Sequence, residues 1–232
     1  MSASLAPFRS EPAGLRLTAG RAEFLFTNAG AGDYAAPTRE AFETVEHCCG
    51  IARSGWVQSE QVHGATVTVT SDDQDPAPHS SPADGQATSL RGVLCAVRTA
   101  DCLPVLIGGD DAVAALHAGW RGIAAGVVDS GIAALRKLGA RPAVAAIGPG
   151  ARGCCYEVSE QMLDTFTDYP DAMKSDRKLD LALVAQAQLE AAGVGTIYDC
   201  GICTICSSPN DFFSYRRDRG ETGRMLGATW LS

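Results

Sequence analysis

The chain has 232 residues, 46 % hydrophobic and 20 % charged, with a formal net charge of −8, which is enough for one α/β domain with a full core. An acidic balance excludes nucleic acid or an anionic membrane as the main partner, because both demand a basic surface, and no apolar run reaches bilayer-spanning length. The start "MSASLAPFRSEPAG" lacks a basic segment followed by an apolar core, so no secretory signal is expected, and the nine cysteines read as reduced thiols in a cytoplasm.

Residues 1–20 read as a weakly ordered N-terminal segment and 21–232 as one domain. In chain order, "AEFLFT" (22–27) predicts a strand, 38–50 a helix, and "WVQSEQV" (56–62) and "ATVTVT" (65–70) two more strands. "SDDQDPAPHSSPADG" (71–85), rich in Asp, Pro and Ser, reads as an exposed loop carrying His79. Strands follow at "GVLCAVRT" (92–99), "LPVLIGG" (103–109) and "AVAALHA" (112–118). A helix over 122–138 places Ile123, Val127, Val128, Ile132, Leu135 and Leu138 on one face, with Gly139 as its C-terminal cap. Then come a strand "AVAAIG" (143–148), a less regular helix over 157–168, a helix over 180–192 capped by Asp180, and a strand "GTIYDCGIC" (195–203). Strands in consecutive groups with helices between the groups predict a mixed sheet with helices packed outside it.

The chemistry concentrates around "ADCLPVLIGGDDAVAALHAGW". If Gly109 and Asp110 form a two-residue hairpin turn, Cys102 lies directly opposite His117. Their Cβ atoms would then be about 4.5–5.5 Å apart on one face, close enough to share a metal ion or a proton. His63, at a strand end in "QVHGATV", completes a His/Cys/His set suited to an open zinc site with a fourth position for water or substrate. Asp101 falls on the opposite strand face and reads as a backbone organiser. Arg121 opens the helix after His117, where free N–H groups favour an anion. In "FFSYRRDRGETGRM" (212–225), aromatic rings can stack a heterocycle, and Arg216 and Arg217 can fork onto phosphate. The remaining cysteines read as structural thiols: "CGICTIC" lacks a partner CxxC, and the adjacent pairs Cys154–Cys155 and Cys48–Cys49 are poorly spaced for a shared metal. "IGPGARG" (147–153) matches no phosphate-loop or dinucleotide fingerprint and reads as a loop bordering a pocket. The nucleobase deaminase zinc signature is absent.

Taken together, "QVHGATV", "RTADCLPVLI", "ALHAGWRGIAAGVV", "IGPGARGCCYEVS" and "FFSYRRDRGETGRM" resemble, in order and spacing, the laccase-domain proteins, also called the multicopper polyphenol oxidase family, which include the peptidoglycan editing factor. The resemblance runs from about residue 22 to 230. It implies a single layered α/β/β/α domain of α/β (α+β) class with mixed sheets. It implies zinc bound by His63, Cys102 and His117, the three residues reached above on other grounds. It also implies purine nucleoside chemistry: phosphorolysis of adenosine, inosine and methylthioadenosine, and adenosine deamination, with nucleoside and phosphate as partners and Arg121, Arg216 and Arg217 as candidate phosphate ligands. The stretch "TNAGAGDYAAPTRE" (27–40) is shorter than its usual counterpart in the family, and "RRDRGETGR" one residue longer than its commonest form.

Three other functions compete. Copper-dependent phenol oxidation fits a His₂Cys set, but four histidines in total cannot build a multicopper cluster. A metal-free hydrolase acting on peptidoglycan precursors would use Cys102 as nucleophile and His117 as base. A zinc-bearing interaction domain conflicts with the open fourth metal position. The oligomeric state stays open at this level.

Overall fold

The computed structural model describes residues 7–71, 81–175 and 177–232; His79 lies outside them. The chain runs β1 (Arg9–Glu11), β2 (Gly14–Ala19), β3 (Ala22–Thr27), α1 (Arg39–Cys49), β4 (Trp56–Val57), β5 (Val67–Thr70), β6 (Gly85–Thr88), β7 (Leu94–Thr99), β8 (Leu103–Gly109) and β9 (Val113–Ala118). It continues through α2 (Trp120–Ala124), α3 (Val127–Lys137), β10 (Pro142–Ile147), α4 (Glu160–Asp164), β11 (Met173–Lys174), β12 (Lys178–Leu179), α5 (Leu181–Ala191), β13 (Thr196–Asp199) and β14 (Met225–Leu231). One six-stranded sheet has the order β1-β2-β3-β14-β7-β4 and the other β13-β10-β8-β9-β6-β5. Both are mixed: β4–β7, β5–β6 and β10–β13 pair in parallel, and the other neighbours are antiparallel.

Alternation along the strands explains the layers. On β3, Phe24 and Phe26 face the second sheet, meeting Leu106, Val113 and Ala115, while Leu25 turns outward to Val45 of α1. On β8 and β9, Val105, Ile107, Ala114 and Leu116 turn outward onto Val128, Ile132 and Leu135 of α3 and Val184 of α5. Three apolar cores therefore stack helix on sheet, sheet on sheet, and sheet on helix, giving the α/β/β/α arrangement of an α+β domain. Central strands covered on both faces read as unbroken apolar runs, which is why β3, β8 and β9 are legible as strands but show no alternation in the sequence. Among the described residues, no helix is long and apolar enough to cross a membrane.

Several expectations change. Residues 9–19, read as weakly ordered, form β1 and β2 and are hydrogen-bonded into the first sheet. The helix over 122–138 is two helices, because Gly126 adopts φ 86° between α2 and α3, a conformation that few residues but glycine take readily. The loop over 71–85 ends early: Ala83 and Asp84 are fully buried and lead into β6. Segment 56–62 is strand only at Trp56–Val57. The hairpin turn is Asp110–Asp111, with the Gly109 N–H bonded to the Ala112 carbonyl at 2.8 Å. His117 thus pairs with Pro104, not Cys102. "GGDD" offers more than one two-residue frame, and strands buried on both faces give no pattern to choose between them. Extending the observed register places Cys102 opposite Gly119, so Cys102 stays on the face of His117, one diagonal step away.

Candidate functional site

Where the chain crosses from the first sheet to the second, Ala100, Asp101 and Cys102 connect β7 to β8. Asp101 takes a left-handed φ of 84°. Its carbonyl accepts from the Ala151 N–H at 2.8 Å, and its carboxylate accepts from the Thr204 hydroxyl and the Arg216 N–H, both at 2.6 Å. Asp101 thereby ties three loops together, the organising role expected of it, but it lines the same cavity as Cys102 and does not turn away to the opposite face.

Asp84 anchors the other side, and the sequence reading missed it. Its carboxylate, without solvent exposure, accepts from the backbone N–H groups of Val62 (3.2 Å), His63 (2.9 Å) and Gly64 (2.6 Å). This cradle holds His63 at φ 60°, an uncommon conformation for a residue with a Cβ. The same carboxylate lies 2.8 Å from His117 Nδ1, which leaves Nε2 free for a ligand. Burial opposes the Asp84 charge, but the bonds from His117 and the loop N–H groups outweigh it and hold the carboxyl below its usual range.

The ligand atoms of His63, Cys102 and His117 lie within 4.8 Å of one another, and the two imidazole rings meet edge-to-face at 4.8 Å. Burial disfavours the Cys102 thiolate, yet hydrogen bonds to His117 and His63 prevail and bring the thiol down to about 6. His117 moves the other way: burial opposes its charge, but Asp84 and Cys102 raise it to about 9. Gly119 makes the approach possible, since a Cβ there would sit 2.9 Å from Cys102 Sγ and 3.2 Å from His63 Cδ2. Three converging N/S donors, one oriented by a buried carboxylate, fit a metal ion of borderline softness.

All three residues line a cavity of about 610 Å³. Arg98, Arg216, Arg224, Tyr156 and Tyr215 share it. Arg216 packs 5.3 Å over the Tyr156 ring and donates to the Glu157 carbonyl. Arg217 does not join it: its guanidinium donates to the carbonyls of Thr204, Ser207 and Phe212 and to the Asp218 carboxylate, so every donor is occupied by its own loop. Arg121 is exposed on the five-residue α2, stacked 4.5 Å over Trp120, and is not among the residues lining the cavity. Arg98 was missed because a strand-end arginine carries no local signal for an anion site, and Arg224, although within the arginine-rich segment 212–225, was passed over for Arg216 and Arg217. Gln61 fastens the cavity wall, its side-chain amide replacing a strand neighbour for both the N–H and the carbonyl of Arg98, at 2.8 Å each.

The family model for the multi-copper polyphenol oxidoreductase laccases matches residues 19–232. The chain belongs to that family. It is 36 % identical over 204 residues to a purine nucleoside phosphorylase of Deinococcus radiodurans, covering 84 % of this chain and 78 % of that one. It is 41 % identical over 189 residues to one of Streptomyces coelicolor, covering 78 % and 76 %. Among solved structures it superposes on the hypothetical protein YfiH of Bacillus licheniformis with a TM-score of 0.85 at 27 % identity, covering 98 % of this chain and 100 % of that one. YlmD of Geobacillus stearothermophilus gives 0.79 at 28 %, covering 97 % and 98 %.

Proposed function

We propose that the chain is a zinc-dependent purine nucleoside enzyme, which cleaves adenosine, inosine and methylthioadenosine with phosphate and also deaminates adenosine. The observation that carries this reading is a single cavity in which a His/Cys/His donor set, three arginines and two tyrosines converge. Its volume of about 610 Å³ suits a small-molecule ligand. The names of the relatives point the same way. The metal assignment rests on the donor set, since two imidazoles and a thiolate with an open side match catalytic zinc sites. Thiolate ligation also suits a reducing cytoplasm.

His63, Cys102 and His117 would hold the ion, and Asp84 fixes the His117 tautomer. Zinc bound there supplies Lewis acidity and a water of lowered pKa, the chemistry that removal of an amino group requires. In phosphorolysis a phosphate oxygen bonds to the anomeric carbon, the glycosidic bond breaks, and its electron pair leaves with the purine nitrogen, which then takes a proton. Arg216, with Arg98 and Arg224 beside it, holds the phosphate, since guanidinium forks match oxyanions. Tyr156 and Tyr215 offer faces to the purine. Burial, with the nearby Cys102 charge, pushes the Tyr156 hydroxyl up to about 12, so it stays protonated, and it donates to Met162 Sδ at 3.9 Å.

A second reading has one observation of its own: Asp84, His117 and Cys102 form an acid–base–nucleophile chain, as a thiol hydrolase of peptidoglycan precursors would need. Metal ligation and nucleophilic attack by Cys102 exclude each other. The deciding experiment incubates metal-analysed protein and Cys102→Ala with adenosine, with and without phosphate, and separates adenine from inosine. Phosphate-dependent adenine lost in the variant supports the proposal. Absence of turnover by zinc-loaded protein refutes it.

A further inference from the structure

The sequence reading set the adjacent pair Cys154–Cys155 and the run Cys203-x-x-Cys206 aside as separate structural thiols. The fold brings all four together, with sulfurs within 4.8 Å of one another. They come from two loops, one after β10 and one after β13. Backbone bonds stitch those loops in register: the Gly150 N–H reaches the Ile202 carbonyl at 3.2 Å, and the Thr204 N–H reaches the Gly150 carbonyl at 3.0 Å. The Cys203–Cys206 turn closes on itself through the Ser207 N–H and the Cys203 carbonyl at 3.1 Å.

We infer that Cys154, Cys155, Cys203 and Cys206 bind a structural zinc ion, separate from the His63–Cys102–His117 site. A tetrahedral zinc with bonds of about 2.3 Å to sulfur requires sulfurs about 3.8 Å apart. Cys154 and Cys206, the pair bridging the two loops, stand at 3.9 Å. The donor set is four thiolates with no further position to fill, the closed composition of structural sites and unlike the open three-donor set in the cavity. The two-residue spacing within Cys203-x-x-Cys206 is a common zinc-ligand spacing, and the adjacent pair Cys154–Cys155 brings the other two sulfurs from a second loop. Cys203 is buried and Cys155 half-buried, whereas Cys154 and Cys206 are exposed, which gives the ion a path from solvent.

The position gives the site a purpose. Cys155 immediately precedes Tyr156 in the cavity wall. Thr204, between the other two cysteines, donates to Asp101 beside Cys102, and its carbonyl accepts from Arg217, which shapes the loop carrying Arg216. From Gly148 to Ser159 and from Cys200 to Arg224 there is no helix and only isolated pairing. These loops are held by side-chain bonds from Asp101, Arg152 and Arg217 and not by regular pairing, and a metal staple adds a further tie between them.

The test uses the full chain, purified under reducing conditions, in the Cys102→Ala/His117→Ala background, so that the cavity donors are disabled and the outcome is independent of the nucleoside reading. One zinc per chain by elemental analysis is expected. On cobalt exchange, sulfur-to-metal charge-transfer bands should have the intensity of four thiolates. Adding Cys154→Ser and Cys206→Ser should abolish both signals. Because these variants could misfold, cadmium NMR of the wild-type protein is the second measurement, with a tetrathiolate resonance expected beside a mixed nitrogen–sulfur one. No metal in the double-variant background, iron in place of zinc, or a Cys154–Cys206 disulfide under the same reducing conditions would overturn the inference.

Discussion

Replacing Asp84 by Asn probes the anchor of the site with almost no change in shape. Oδ2 accepts from Val62 and Gly64, while Oδ1 accepts from His63 and faces His117 Nδ1. An amide can present an oxygen to only one of these pairs: its NH₂ then confronts either the Val62 and Gly64 N–H groups, or the His63 N–H while forcing His117 into the tautomer that accepts at Nδ1. A buried donor left without an acceptor costs about 1–3 kcal/mol, and Val62 has water as a substitute. The expected loss is roughly 2–4 kcal/mol, which lowers the Tm of a chain this size by on the order of 10 °C. With the His117 tautomer no longer fixed and the His63 loop loosened, zinc affinity should fall about 10–100-fold. Thermal unfolding with and without zinc, with competition by a chromogenic chelator, measures both quantities. A variant with wild-type stability and wild-type zinc affinity would refute the role given to Asp84.

Gly119→Ala should separate metal binding from folding. The new Cβ collides with Cys102 Sγ and crowds the His63 ring, both side-chain ends that can shift, so Tm should change little while zinc affinity drops about 10–100-fold; unchanged affinity by chelator competition would contradict the steric account. Arg216→Ala should raise the KM for phosphate with a small change in Tm. Arg217→Ala should do the reverse, lowering Tm, because its loop carbonyls lose their donor; equal effects of the two in steady-state kinetics and melting would sink the distinction. In metal-stripped protein, Cys102 is depressed to about 6 and His117 raised to about 9. The thiolate's contribution to stability is complete above the ordinary thiol value and is lost as pH falls through about 6, while that of the imidazolium is lost as pH rises through about 9. Alkylation of Cys102, mapped by mass spectrometry, should therefore show a midpoint near 6, and a midpoint near 9, the ordinary thiol value, would contradict the assigned hydrogen bonds.

Much of the architecture was readable from local signals. β3 and β8 match the expected spans, and α1 and α5 fall within theirs, because a continuous apolar run and a capped helix each have a distinct pattern. The donor trio was readable too, since Cys102 and His117 share a face under either turn frame. What stayed hidden depended on distance along the chain. Asp84 lay at the end of a Pro- and Ser-rich stretch and looked solvated, yet its partners are residues 62–64 and 117. Arg217 looked as free as Arg216, and only the folded loop reveals which guanidinium is consumed by carbonyls. The four clustered cysteines looked incidental because half the set sits about 50 positions from the rest, and sequence spacing cannot report a contact made by tertiary structure.

The central claim is transfer of the pentose to phosphate in this cavity. Phosphorus NMR of zinc-loaded protein with inosine and inorganic phosphate follows that bond directly. The account predicts a sugar 1-phosphate resonance that grows in equal amount with hypoxanthine and is absent with Cys102→Ala. Hypoxanthine released with free ribose, or no release of base at all, would contradict it.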